Sequence, residues 1–245
     1  MDNSGEGTDG TVQFVNTVGA NNSLDAITIT GNLNLDDAIS NTTSLSVSGT
    51  SNLGANVTTS STQTYTGNAT ISNNITLTTT NSNVSFSGTT NAGTAGNTLT
   101  VAAGTGDVTF TNAVGGSTAM GNTTITTGVL SAAAIKVQGT IDITNSDTST
   151  ITGIISDGAS SAILTKAGSG TLTLSANNTY TGATNINVGT LSITHNNALG
   201  STNGATIVAD GASVSISNDI TSPENITISG TGISSNGAIR TNSST

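Results

Sequence analysis

Catalysis needs titratable side chains that converge, and this chain has few of them. Its 245 residues include 13 Asp and Glu, 3 Lys and Arg, and one His. His195 stands alone in the stretch HNN, with no second His and no Cys to share a metal, so it reads as a solvated turn residue. Asp36 and Asp37 are adjacent. In a strand they would point to opposite faces and could not act as a paired acid and base. Asp107, Asp142, Asp147, Asp157 and Asp210 precede or lie near turns; no cofactor is expected, and a weak surface calcium site there is the one alternative left open. The Gly-Gly-x-Gly-x-Asp nonapeptide of calcium-binding rolls is absent. The glycines at 168–170 open a strand pattern with no helix behind it, which excludes a phosphate cradle. Asn-x-Ser/Thr triplets, such as those at Asn68 and Asn74, follow from composition alone.

Net charge narrows the partners. The balance of −10 leaves only Lys136, Lys166 and Arg240 as cations, so no basic patch forms and nucleic acid is not an expected partner. No apolar run approaches the roughly 20 residues of a membrane helix, so this segment is not expected to insert in a membrane. The opening MDNSGEGTDG lacks the basic and apolar regions of an export signal, and cysteine is absent. The chain is expected to be a piece of a longer precursor.

The elements that would position any site are strands. Thr, Ser and Asn make up close to half the chain, and aromatics only 2%. The apolar residues are not scattered as in a disordered polar chain. They alternate with polar ones in AITIT (26–30), SLSVS (44–48), TLTV (98–101), TIDIT (140–144), TLTLS (171–175) and SVSIS (213–217). Branching at Cβ suits Thr, Val and Ile to a pleated surface. Asn-rich clusters such as ANN (20–22, 176–178) and SNN (72–74) mark turns between the runs. LSAAAIKV (130–137) is the best helix candidate, but VQGTIDIT follows at once and it reads as strand. In GTLTLS (170–175), Leu172 and Leu174 are expected inward and Thr171 and Thr173 outward.

Self-similarity separates a solenoid from a sandwich. NVSFSGTTN (83–91) resembles DVTFTNAVG (107–115) at an offset of 24, and Phe14, Phe86 and Phe110 fall on multiples of the same spacing. GTLTL (170–174) recurs as GTLSI (189–193) at an offset of 19. Stacked coils, each roughly as long as these offsets, would produce such self-similarity. They predict an all-β fold, a β-solenoid with a core of small aliphatics. Asn at the turns is expected to stack into ladders of side-chain amides.

At 163–193, ILTKAGSGTLTLSANNTYTGATNINVGTLSI resembles the autotransporter-associated β-strand repeat, also called the passenger-associated transport repeat. The signature positions are Lys166, Gly168, Gly170, Thr171 and Leu172, then Leu174, Tyr180 and Gly182, then Gly189 and Leu191. Lys166 reads as a solvated side chain at a strand edge. Units across 11–145, such as GDVTFTNAVGG, are similar to repeats of filamentous-haemagglutinin-type giant adhesins. The resemblance implies a right-handed parallel β-helix, displayed on or secreted from a Gram-negative cell. It also implies that the repeat near 163–193 assists folding during export. Two continuous blocks are expected: 1–149 with the adhesin-like repeats, and 150–245 with the transport repeat.

β-Helical lyases and hydrolases need clustered carboxylates, often with Arg or Lys, whereas Arg240 is the only arginine and no repeat-matched acid pair exists. No enzyme is expected. The expected role is a structural segment of an adhesin or autotransporter passenger, whose partner is a host or neighbouring-cell surface ligand. Two alternatives stay open. One is a self-assembling fibre subunit joined end to end. The other is an ice-binding solenoid using rows such as TITTG (124–128) and TLTL (171–174), although drifting coil lengths argue against a register on every coil.

Overall fold

The computed structural model describes residues 10–217 and 219–242, so the opening segment read for an export signal lies almost wholly outside them. Every strand pairing is parallel, and the strands sort into sheets of eleven, ten, five and two. In the first half each coil visits three faces in turn. Ser51–Leu53, Val57–Thr59 and Gln63–Tyr65 form one coil, and each stacks on its counterpart one coil away. The eleven-strand face begins at Ile27–Ile29 and ends at Ile239–Asn242, and it supplies one rung per coil. Eleven rungs at about 4.8 Å make a rod roughly 50 Å long. The chain is an all-β parallel solenoid. Its one helical element among the described residues is a 3₁₀ turn at Ile233–Ser235.

All six alternating runs are strands, and LSAAAIKV splits into Leu130–Ala132 and Ile135–Val137 with a corner between. Alternation becomes burial directly. Thr171–Leu174 reads half-buried, buried, half-buried, buried, so Leu172 and Leu174 face inward and Thr171 and Thr173 outward. The core is one continuous column of Leu, Ile, Val and Ala running the length of the rod. A narrow three-sided interior has room for branched aliphatics. Larger rings are few in it: Tyr65, Phe86 and Phe110 stack on one another, and Tyr180 is buried singly.

Coil length varies more than the offsets suggested. Ile27 pairs with Leu45 at an offset of 18, while Val214 pairs with Ile239 at an offset of 25. Apart from a register shift within Ile39–Thr42, the strands stay in register because the turns absorb the difference. For the same reason the common spacing of the phenylalanines does not put all three on one face. Phe86 pairs with Phe110, but Phe14 pairs with Leu35 on the five-strand face. The third ring in the stack is Tyr65, with centroids 4.8 Å apart from Tyr65 to Phe86 and 5.0 Å from Phe86 to Phe110. Those separations equal the rung spacing, so the backbone ladder itself sets the ring contact.

Asparagines join coils in two ways. Some stack as an amide ladder: at a turn Asn197 Nδ2 donates to Asn177 Oδ1 at 3.0 Å, and within the five-strand face Asn52 Nδ2 donates to Asn34 Oδ1 at 2.6 Å. More often the side-chain oxygen accepts a backbone N–H from the next coil. Asn56 takes Thr76 N–H, Asn74 takes Thr98 N–H and Asn83 takes Asp107 N–H, all at 2.8–2.9 Å. These bonds satisfy donors that the turn removes from the ladder.

Not every inward hydroxyl has a partner. Thr123 is fully buried between Leu99 and Ile141, and its Oγ1 makes no hydrogen bond. Thr123→Val keeps the shape and removes an unsatisfied polar atom, so it is expected to raise stability by about 1 kcal/mol. Denaturant melts of the two proteins check this, and a lower midpoint for the valine variant would contradict the placement.

Candidate functional site

The acidic residues stay apart. Asp36 and Asp37 sit in a turn after Asn32–Leu35 rather than in a strand, which corrects the reason for discounting them. Asp36 accepts from Gln13 and Asn34, while Asp37 accepts the backbone N–H of Ala38. Asp142 lies within the strand Thr140–Asn145 and accepts from Thr140 Oγ1. Asp107 and Asp157 hold turns: Asp107 accepts Val129 N–H, and Asp157 accepts both Ala162 N–H and Thr181 N–H. His195 Nδ1 accepts Asn197 N–H within its own turn. Among the described residues no three of His, Cys, Asp and Glu come together as a metal site. No helix among them is long and apolar enough to cross a membrane.

The best-defined constellation is the signature segment. Leu172, Leu174, Tyr180 and Leu191 are fully buried, and Leu172 pairs with Leu191 across successive coils. Tyr180 Oη and Thr184 Oγ1 share a 2.6 Å hydrogen bond inside the core, and burial pushes the phenol's pKa well above its ordinary value. Gly168 and Gly189 both adopt positive φ, at +77° and +76°, at the corner between the ten- and eleven-strand faces. A side chain on Gly189 would collide with the carbonyls of Gly168 and Gly170 in the coil before. Gly170 and Gly182 also stand where a Cβ would meet backbone, at Asp147 O and Ala162 O.

Lys166 overturns its sequence reading. It is not solvated at a strand edge but fully buried, in an inward column between Ile143 and Ile186. Its Nζ donates to Ala167 O at 2.6 Å, Gly168 O at 2.8 Å and Val188 O at 3.2 Å. The first two carbonyls belong to one coil's corner and the third to the next coil's, so a single ammonium ties two coils together. Burial lowers its pKa from 10.5 to about 8.

The same corner needs a buried donor in other coils too. Thr59 Oγ1 donates to Ser61 O, and Thr127 Oγ1 to Val129 O. Asn145 Nδ2 donates to Asp147 O and, one coil further, to Thr171 O. A tight corner turns its carbonyls inward, and an inward carbonyl requires a donor. In the signature coil that donor is lysine. The signal was available, because ILTKA puts Lys166 on the same face as Leu164 by plain alternation.

Outside, the eleven-strand face carries a column of hydroxyls. Each rung from Thr28 through Thr64, Thr109 and Thr173 to Ser215 presents Thr or Ser, and the next rung presents Arg240. On the ten-strand face the outward rows are interrupted: Thr78 pairs with Ala102, and Thr124 with Asp142. Drift in coil length therefore does not disturb register, contrary to the earlier objection. The two threonine motifs nevertheless lie on different faces, so they do not form one array.

A parallel solenoid with a lysine-tied corner and separated acids is a repeat scaffold. Residues 164–193 match the family model of the passenger-associated-transport-repeat. Searches of curated proteins and of solved structures find no match. The chain is a β-solenoid that carries one such repeat, and this class supports a structural, passenger-like role.

Proposed function

We propose that this chain is a non-catalytic structural segment of a secreted or surface-displayed bacterial adhesin or autotransporter passenger, and that residues 163–193 assist its folding during export. The observation that carries the reading is the transport repeat seated on coils that Lys166 ties to one another. Leu172 pairs with Leu191 at an offset of 19, about as short as the 18 between Ile27 and Leu45 in the first half, so what sets this block apart is the Lys166 tie rather than loop length. Docking such a coil closes a short loop at small entropic cost. A solenoid's stability is a sum of coil and interface terms, so a strong local block nucleates and then templates its neighbours. A chain emerging C-terminus first would present this block early, and its folding would oppose backsliding. The proposed setting is the Gram-negative cell surface or the extracellular space. Binding to a surface ligand belongs to the outer face of the rod.

The test is to express 1–149 and 150–245 separately and follow refolding from denaturant by circular dichroism. The C-terminal half is expected to fold alone and faster. Unaided refolding of 1–149 while 150–245 stays unfolded would contradict the nucleating role.

A further inference from the structure

Arg240 follows ten hydroxyl rungs on the eleven-strand face, one rung beyond Ser215. Its side chain lies back across the neighbouring strand, so that Nη2 donates to Thr190 Oγ1 two strands away, at 3.3 Å. Together with Thr171, Thr190, Ser192, Ser215 and Thr241 it walls a surface cavity of about 260 Å³. Two polar atoms at this cavity are buried and have no partner: Ser215 Oγ and Arg240 Nε. Ser215 is only 4% exposed, and an unpaired hydroxyl so deeply placed is costly unless a ligand meets it. Among the described residues no carboxylate lines the cavity.

We propose that this cavity is a binding site for the oxyanion of a single acidic sugar, either a uronate or a sugar sulfate. The guanidinium carries N–H donors matched to two oxygens of a carboxylate or sulfate, and Nε, covered in the free chain, joins them when the side chain turns toward the ligand. Ser215 Oγ supplies a further donor beside them. The hydroxyls of Thr171, Thr190 and Ser192 donate and accept, as the ring hydroxyls of a sugar require. The volume falls just below the roughly 300 Å³ at which drug-sized ligand pockets begin, so it suits one sugar residue. The overall charge of −10 opposes an anion only at long range, and physiological salt screens it beyond about 8 Å. The site begins one residue past the lysine corner, at Thr171 and Thr190, but lies on the outer face, and it does not rest on any role in export.

Amide chemical shifts of the full chain, titrated with glucuronate, glucose 6-sulfate, glucose and inorganic sulfate, test the proposal. Saturable shifts centred on Thr190, Ser192, Ser215 and Thr241, with dissociation constants up to about 10 mM for at least one acidic sugar, are expected. The tighter of the two identifies the oxyanion. Arg240→Gln is expected to weaken that binding about tenfold or more, and Arg240→Lys, which keeps the charge but loses the fork, to weaken it too. A melting temperature for each variant shows that it is folded. Glucose binding as well as glucuronate, inorganic sulfate matching glucose 6-sulfate, shifts centred elsewhere, or no saturation would each overturn it.

Discussion

Leu172→Asp is expected to destabilise the chain by about 4 kcal/mol or more. Leu172 is fully buried and pairs with Ser149 and Leu191, so the new carboxylate would have no cation paired with it and only the Ser149 hydroxyl beside it as a donor. It would lose the leucine's packing and also bear the cost of an uncompensated charge. Thr173→Asp, one residue on, provides the contrast. Thr173 is half-buried on the outer face between Thr150 and Ser192, and the change is expected to cost about 1 kcal/mol or less, through lost β-propensity. Denaturant melts of the two variants read the difference. Equal tolerance of both changes would refute the register of the eleven-strand face.

Lys166→Ala is the second large effect, expected at about 3 kcal/mol. The substitution empties the space of the buried stem and leaves the carbonyls of Ala167, Gly168 and Val188 without their shared donor. A titration separates the charge from the packing. Because burial lowers the folded-state pKa to about 8, the unfolded chain holds the proton more tightly between pH 8 and 10.5. Stability from this group therefore increases as pH rises through that window. Tyr65 and Tyr180 are both raised by burial, so they lower stability with rising pH only as the unfolded phenols ionise near their ordinary 10. The clean interval is pH 8 to about 9.5. Melts of the wild type should show stability rising across it, and Lys166→Met should remove that rise. An identical rise in the methionine variant would assign it to another group.

The strands were legible in the sequence because burial on one face writes itself as alternation, and TLTL and SVSIS carry that pattern without ambiguity. The turns were not. Their lengths vary from coil to coil, so the spacing of 24 that relates Phe14 to Phe86 and Phe110 does not bring it onto their face, where Tyr65 is the third ring. Lys166 was misread for a different reason. Like Asn145 and Gln63, it occupies an inward position, but its charge argued louder than its parity. What makes them inward is the need of corner carbonyls for donors, a requirement of the third dimension that no linear pattern records. The cavity at Arg240 was hidden in the same way. Its walls at 171, 190, 215 and 240 meet only once the lengths of three successive coils are known.

Pulse-labelled hydrogen exchange during refolding of the intact chain tests most directly whether the repeat acts as the folding block. Backbone amides of 163–193 should gain protection first, with those of the earlier coils around Gln63–Tyr65 and Val84–Phe86 following. Protection appearing first around those earlier coils, with 163–193 closing last, would contradict it.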